Sequence, residues 1–380
     1  MSVIIKEIST LSEIKQFVKF AHKHYKNNPY YVPTLVLEEK ETLNPKKNPV
    51  FEFCDHVYYM AYKDGKAVGR IAGMINRRAN ETWNQNHARF GWIEFTDDFE
   101  VSSALLKAVE EWAISKGVSA IHGPMGFTDL DHEGLLIEGF DQLGTMATIY
   151  NYDYYPTHLE KFGYKKDCDW IEFKIKTPDA IPERFKRVSE IVQKKYGLKV
   201  LKFKKVKDIL PYGQRIFELL NTSFAHLYGY TPLTQKQIDY YTKIYITMLQ
   251  LKFVTLITDP DDNLICFGIS IPSLSKALQK SGGKLFPFGF IHLLRALKGK
   301  GRHDTIDLYL VAVRPDYQGK GVNALLFNDL IPVFQSNGYR YAESNVELET
   351  NHKVQSQWEL FEYVQHKRRR AYIKELRVKS

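Results

Sequence analysis

The sequence predicts an α/β protein with a mixed (α+β) sheet, built from two tandem copies of one unit. In each copy a β-hairpin is followed by a strand, a long amphipathic helix and a further strand. Ala104-Leu105-Leu106 in the first helix matches Ala324-Leu325-Leu326 in the second at an offset of 220 residues. A chain of 380 residues with 44% hydrophobic residues can bury two cores, and this composition excludes wholesale disorder.

The elements of the first copy follow from alternating apolar residues in its strands and apolar residues at helical spacing in its helix. Gly117 is the expected helix stop, since glycine commonly follows the last helical turn. The predicted elements are strands 57–61 and 67–75 around the turn 63–66, strand 90–95, helix 101–116 and strand 120–122.

The second copy repeats this order, with Gly338 as the helix stop and an insertion around residues 275–303. Its predicted elements are strands 253–258 and 264–271 around the turn 259–263, strand 306–313, helix 321–337 and strand 341–343. A polar segment with two prolines, residues 177–182, marks the join. The predicted domains are therefore 1–178 and 179–380, and a helix near Arg184 opens the second.

The positive charge of the chain is unevenly distributed. The formal net charge is +9, with 53 Lys and Arg against 44 Asp and Glu. Residues 184–207 contain ten basic side chains and Glu190 as the one acid, and residues 367–380 contain seven and Glu375. Basic patches suit polyanions, so nucleic acid, an anionic membrane and a polyphosphate cofactor remain open as ligands.

Metal and targeting signals are weak. Cys54, Cys168 and Cys266 have no CxxC spacing, which argues against a disulfide framework and a thiolate metal site. Residues 129–133 form a dense acid–histidine cluster, but consecutive residues rarely converge on one ion, so we predict a capped loop and no metal. The first residues do not resemble a signal peptide, and no apolar run can span a bilayer, so we expect a cytoplasmic protein.

The turn before the second long helix carries the clearest ligand signal. It reads Val311-Ala312-Val313-Arg314-Pro315-Asp316-Tyr317-Gln318-Gly319-Lys320-Gly321-Val322-Asn323. Glycine lets the backbone approach a ligand closely, and the first N–H groups of a helix have no intrahelical partner. Together with the helix dipole and the Lys320 charge, they predict an anion site that suits a pyrophosphate.

This strand–loop–helix segment resembles the Gln-x-x-Gly-x-Gly/Ala signature of the GCN5-related N-acetyltransferase (GNAT) superfamily, although Asn323 replaces the last Gly or Ala. The resemblance implies that acetyl-CoA or a longer acyl-CoA is the co-substrate. It implies that the backbone of Val311, Ala312 and Val313 pairs with pantetheine, and that Asn351 belongs to the same site. It also implies a pyrophosphate site made of Gln318, Gly319, Lys320, Gly321, Val322 and Asn323.

Acyl transfer to an amine needs a base for the amine and an acid for the departing thiolate. Glu343, on the strand beside the cofactor strand, is the candidate base, and a structural ion pair is its alternative role. Many GNAT proteins have a Tyr seven residues after the Asn as the acid, but that position holds Trp358 here. Tyr363, which lies nearby but out of register, and Tyr309 are the candidate acids, and Asp307 on the cofactor strand is a second candidate base.

The first half resembles a degenerate GNAT unit. Its matching turn, residues 96–102, has three carboxylates and no glycine, so it should repel a pyrophosphate. Residues 154–164 resemble the end of a GNAT domain, and most of the chain, about residues 25–375, resembles a bacterial subgroup with tandem halves. We therefore expect the first domain to lack a CoA pyrophosphate loop and the second to bind acyl-CoA.

The resemblance implies an acyl-CoA-dependent N-acyltransferase that acts on a small amine or peptide acceptor, with no DNA partner. One alternative is a non-catalytic acyl-CoA sensor, and another is an aminoacyl-tRNA-dependent transferase, against which the intact loop argues. Residues 285–297 combine Phe and Leu with flanking basic residues. They could form a core helix, a lid over a long acyl chain or, through residues 285–302, a peripheral membrane contact.

Overall fold

A computed structural model describes residues 2–246, 249–299 and 304–377. Residues 300–302 of the suggested membrane contact therefore lie outside the described part. The strands are β1 Ile4–Glu7, β2 Cys54–Lys63, β3 Lys66–Asn76, β4 His87–Phe95, β5 Ala120–Gly123, β6 Leu135–Glu138, β7 Lys165–Lys176, β8 Lys199–Leu201, β9 Val254–Thr258, β10 Leu264–Pro272, β11 Thr305–Val313, β12 Tyr341–Ser344, β13 Glu347–Leu348 and β14 Tyr363–Glu375.

The helices lie between these strands in the order that the repeat requires. They are α1 Leu11–His24, α2 Val36–Thr42, α3 Arg77–Trp83, α4 Phe99–Ser115, α5 Tyr154–Lys161, α6 Glu183–Tyr196, α7 Val206–Ile209, α8 Gly213–Phe224, α9 Gln235–Ile246, α10 Ser275–Ser281, α11 Gly289–Leu297, α12 Asn323–Ser336 and α13 His352–Gln355. None of the described helices is long and apolar enough to cross a bilayer.

The chain divides into two compact units, each of which is discontinuous in sequence. The first comprises Met1–Ile171, Ser275–His292 and Lys367–Ser380, and the second comprises Glu172–Leu274 and Leu293–His366. The domain bounds 1–178 and 179–380 assume two uninterrupted halves, and they stay a prediction.

In the first unit the strand order is β1-β2-β3-β4-β5-β14, and β6 also pairs with β14. The pairs are antiparallel except for β4 and β5, which run parallel. Helix α4 packs closely on this sheet because β3 carries glycine beneath it. A Cβ on Gly69 would lie 2.6 Å from Leu105 Cδ1, and one on Gly73 would lie 2.8 Å from Val109 Cγ1.

In the second unit the strand order is β7-β12-β11-β10-β9-β8. The pairs are antiparallel except for β11 and β12, which run parallel. Helices α6 and α12 pack together, and Val192, Leu325 and Leu326 share one core cluster with the strand residues Ile257 and Ile265.

The predicted repeat of hairpin, strand, helix and strand is confirmed in both units, and the predicted helix near Arg184 is α6. Helix α12 begins at Asn323 rather than at residue 321. The reason is local, because Gly319 and Gly321 have φ values of 72° and 80°, which a right-handed helix does not accommodate.

Candidate functional site

The two parallel strands of the second unit separate and leave a fork. Strand β12 pairs with β11 from Thr305↔Tyr341 to Leu308↔Ser344, where β12 ends, whereas β11 continues to Val313. Opposite β10, the register shifts between Ile269 and Ser270, so that Tyr309 is an extra residue in β11. The bulge and the end of β12 leave the β11 edge available for an extended ligand to pair with, and Val311 is 46% exposed there.

Asn345 spans the base of this fork. It follows β12 directly, and its Nδ2 donates a hydrogen bond of 3.1 Å to the carbonyl oxygen of Tyr309. The contact fixes the position of the bulged residue between the two strands.

The loop after β11 presents backbone donors at the start of α12. The first bonds into the helix are those from Ala324 N to Gly321 O and from Leu325 N to Val322 O, both 3.0 Å. Among the described residues, no hydrogen-bond partner is found for the N–H groups of Gly319, Gly321, Val322 and Asn323. Unpartnered N–H groups at the start of a 14-residue helix form an anion site, and the helix dipole adds to it.

Glycine is required at residue 321 for packing as well as for its φ. A Cβ there would lie 2.8 Å from Val188 Cγ1 of α6. A Cβ on Gly319 would meet nothing within 4 Å. Helix α6 therefore packs directly against the loop at Gly321, whereas Gly319 faces open space.

The loop carries two basic side chains, Arg314 and Lys320, that are held in different ways. Arg314 is neutralised by Asp316, with contacts of 2.7 and 3.0 Å to its two carboxylate oxygens. Lys320 Nζ lies 5.2 Å from the Tyr317 ring centroid and 5.6 Å from that of Tyr196. In the described part of the chain it forms no salt bridge, so its charge is available to a ligand.

The remaining members of the predicted cofactor site are held in other ways. Gln318 Nε2 donates to the carbonyl oxygen of Val313 at 3.1 Å, which ties the loop to the end of β11. Asn323 Nδ2 lies 3.5 Å from Gln357 Oε1. Asn351 precedes the short helix α13 and accepts backbone bonds from Val354 and Gln355 at 3.1 and 3.2 Å.

Glu343 lies in a cluster of ionisable groups with Glu172 of β7 and His366 of β14. Their nearest ligand-type atoms all lie within 4.8 Å of one another. His366 Nε2 lies 3.3 Å from Glu343 Oε1, outside hydrogen-bond geometry, and neither ring nitrogen of this half-buried histidine has a hydrogen-bond partner in the described residues. Two carboxylates and an imidazole in this arrangement can pass a proton, and they also offer three possible metal ligands.

Tyr363 and Trp358, which occupies the position where the resemblance expects the acid, lie in different surroundings. Tyr363, at the start of β14, is 43% exposed, and its ring centroid lies 5.6 Å from that of Phe173. Trp358, which occupies the position expected for the acid, is buried, and its Nε1 donates to Glu347 Oε1 at 3.0 Å. An indole N–H can donate a hydrogen bond but cannot act as a proton source in this chemistry.

Glu347 is a further candidate functional residue, and the sequence does not single it out. Burial raises the pKa of this carboxyl to about 7, and the hydrogen bond from Trp358 opposes the shift. Its Oε2 has no hydrogen-bond partner in the residues that the structure describes. No sequence pattern marks it, because its pKa depends on burial that the chain creates only after folding.

The first unit has a matching fork, which its own backbone and side chains fill. Strand β4 pairs with β5 only from His87 to Arg89 and then continues to Phe95. Met125 N donates to Phe90 O at 2.8 Å. The backbone of Phe95 is also engaged, since its N–H donates to Tyr155 Oη at 3.0 Å and its carbonyl oxygen accepts from Tyr154 Oη at 2.7 Å.

The start of helix α4 in the first unit is also occupied. Asp98 caps it by accepting from Glu100 N at 2.9 Å, and Lys63 Nζ lies 2.7 Å from the Asp98 carboxylate. The Lys63 hydrogen bond lowers the pKa of Asp98, so the carboxylate is ionised at neutral pH. An anion would meet this negative charge at the position where the second unit offers N–H groups that have no partner in the described part of the chain.

Comparison with known proteins identifies the fold. No family model matches the chain. Protein YghO of Escherichia coli (strain K12) is 29% identical over 387 residues, which cover 98% of this chain and 95% of that protein. The bacterial ceramide synthase of Caulobacter vibrioides (strain NA1000 / CB15N) is 27% identical over 298 residues, which cover 77% of this chain and 76% of that enzyme.

Among solved structures, a tandem GNAT protein from the clavulanic acid biosynthesis pathway aligns over 100% of both chains, with a TM-score of 0.58 and 10% identity. The aligned length includes both halves of that protein, and the predicted tandem α/β architecture is confirmed. The chain therefore has the fold of the tandem GCN5-related N-acetyltransferases.

Proposed function

We propose that this protein is an acyl-CoA-dependent N-acyltransferase that binds its donor on the second unit. The contrast between the two units carries this proposal. In the second unit the fork leads to four N–H groups at the start of α12 for which the described residues offer no hydrogen-bond partner. In the first unit the corresponding fork and helix start are occupied by Met125, Tyr154, Tyr155 and Asp98.

In this proposal the donor lies along β11 and ends at the loop. The backbone of Val311, Ala312 and Val313 pairs with the amides of pantetheine, as an added strand would. The residues from Gln318 to Asn323 hold the pyrophosphate, to which Lys320 adds a positive charge. Asn351 belongs to the same site by the family resemblance.

The proposed chemistry is direct attack of the acceptor amine on the thioester carbonyl. The amine forms the new C–N bond and gives a proton to Glu343, whose neighbour His366 can take it further. The C–S bond then breaks, and the CoA thiolate takes a proton from Tyr363, our candidate acid. Atoms and charge balance, since the amine loses one proton and the thiolate gains one.

We further propose that the acceptor amine belongs to a long-chain lipid. The similarity to a protein named bacterial ceramide synthase supports this, because a ceramide is the fatty amide of a long-chain amino alcohol. The family resemblance alone leaves small amines and peptides as acceptors. Comparison of a long-chain amino alcohol with a short polar amine in an assay of CoA release distinguishes them.

The first experiment is calorimetric titration of CoA, acetyl-CoA and palmitoyl-CoA into the full chain. The test variant is Gly319→Glu, because this position has space for a side chain, whereas Gly321→Glu would collide with Val188 and disturb α6. The matched control is Gly338→Glu, another glycine with positive φ and open surroundings, after the far end of α12.

We expect the Kd for CoA to rise at least tenfold in Gly319→Glu and to change less than twofold in the control. Equal affinities in all three proteins would refute the assignment of the loop. Tight binding without CoA release for any amine tested would favour the acyl-CoA sensor. Binding of aminoacyl-tRNA in place of CoA would favour the tRNA-dependent transferase.

A further inference from the structure

Exposed apolar side chains are concentrated on the segment from residue 284 to residue 298, which contains helix α11. Phe286 and Phe288 are 74% and 68% exposed, although phenylalanine is a residue type most often buried. Within the next turns of chain, Phe290, Ile291 and Leu294 are also exposed. We refer to these five side chains as the apolar patch.

Helix α11 has one buried face and one exposed apolar face. Leu293 and Ala296 are buried and attach the helix to the protein. Phe290, Ile291 and Leu294 are exposed and lie on one outer face, because residues three and four apart are neighbours on a helix. The Phe286 and Phe290 rings lie 6.1 Å apart, so the turn before the helix extends the same patch.

The charged side chains of the segment that contains the apolar patch have a single sign. Residues 275–299 contain five Lys and Arg side chains and no Asp or Glu. All five are exposed, and none of them forms a salt bridge in the part of the chain that the structure describes. These residues are Lys276, Lys280, Lys284, Arg295 and Lys298.

The segment is anchored at its base. Gln279 Nε2 donates to the carbonyl oxygens of Pro29 and Tyr31 at 2.8 and 3.0 Å. Gly283 accepts from Val36 N at 2.9 Å, and Ser275 Oγ donates to Gly144 O at 2.8 Å. These contacts hold α10 from its first residue to the turn after it, and the apolar patch beyond it is exposed, so little ordering is needed before the patch binds.

We propose that the apolar patch and its lysines and arginine dock the protein on an anionic phospholipid surface. The Phe side chains enter the boundary between headgroups and acyl chains, and the cations contact lipid phosphates. A second copy of the chain is a poorer occupant, because a two-fold contact through this face would oppose two segments of five positive charges and no acidic residue each. If the proposed lipid acceptor is correct, which is a separate proposal, docking also brings the enzyme to its substrate.

The test is flotation of the full chain with vesicles, without donor or acceptor. One set of vesicles contains phosphatidylcholine and phosphatidylglycerol, and the other contains phosphatidylcholine alone. Phe286→Ser/Phe288→Ser removes the most exposed side chains, and Lys284→Gln/Arg295→Gln/Lys298→Gln removes charge. The matched control is Ile4→Ser/Leu11→Ser, which removes two exposed apolar side chains from β1 and α1.

We expect the anionic vesicles to bind the protein and the neutral ones to bind it far less. The charge variant should bind on the order of a hundredfold more weakly, since each basic residue contributes roughly fivefold. The Phe variant should lose at least about tenfold, and the control should change less than twofold. Thermal unfolding of each variant verifies that the fold is intact.

Three results would overturn the proposal. They are the absence of vesicle binding by the wild type, equal binding to neutral and anionic vesicles, and wild-type binding by both patch variants. A dimer that the Phe variant converts to a monomer, without a change in vesicle binding, would assign the patch to a second copy. CoA titration of the same variants keeps the two proposals separate, since it should be unchanged whether docking succeeds or fails.

Discussion

Replacing Glu347 by Gln should remove the contribution of this one carboxyl group to the pH dependence of stability. Glutamine keeps the shape of the side chain and an oxygen that can accept the Trp358 Nε1 hydrogen bond, which measures 3.0 Å in the wild type. It removes only the ability to ionise. The comparison of the two proteins therefore isolates the effect of one buried carboxyl group.

The sign follows from the direction of the pKa shift. Burial raises the pKa of Glu347 from 4.5 to about 7, so the folded protein binds this proton more tightly than the unfolded chain. The stabilising protonated form is fully present below about pH 4.5 and is lost as the pH rises through 7. With these two pKa values, the unfolding free energy should fall by about 2.5 kcal/mol between pH 5 and pH 8 because of this group.

The assay is urea unfolding of wild type and Glu347→Gln at pH 5 and pH 8. We expect the variant to gain about 2.5 kcal/mol relative to wild type on going from pH 5 to pH 8. Glu359→Gln, at an exposed carboxylate beside Trp358, is the control, and it should follow wild type at both pH values. Identical pH dependence in wild type and Glu347→Gln would refute the argument that burial shifts this group.

Two further substitutions test charged groups inside the units. Arg70→Met should lower the unfolding free energy by about 3–5 kcal/mol, measured by chemical denaturation, because Arg70 is the buried partner of the Glu39 and Glu94 carboxylates; a loss below 1 kcal/mol would contradict this. His366→Gln should lower kcat at least tenfold and alter the pH–rate profile while the Kd for CoA stays unchanged, if His366 relays the proton from Glu343. A purely structural role would leave the pH profile as in wild type.

The repeated unit could be predicted because its signals are local. Alternating apolar residues, a turn and a helix stop each occupy a few consecutive positions, so the two hairpins and the helices α4 and α12 follow from the sequence. The loop glycines and the strand before them could also be predicted, because they too are local features of the sequence. The predicted helix 321–337 begins two residues too early. The positive φ of Gly321 keeps this residue out of the helix, and that φ is a property of the folded turn.

The rest depends on residues far apart in sequence. Phe95 meets Tyr154 and Tyr155 about 60 positions later, and this contact fills the fork of the first unit. Glu343 meets His366 across 23 positions. Such contacts, and the burial that shifts the pKa of Glu347, arise from tertiary packing, which periodicity and turn chemistry do not encode.

The pairing of the last strand with β5 has a consequence for biosynthesis. Residues 372–375 of β14 pair with β5, residues 120–123, about 250 positions earlier. A nascent chain therefore carries β5 with one edge unpaired while the ribosome makes the whole second unit. Until the last strand emerges, that edge can pair with a strand from another chain. Premature termination shortly before residue 372 would therefore release a protein with an unpaired β5 edge that favours aggregation.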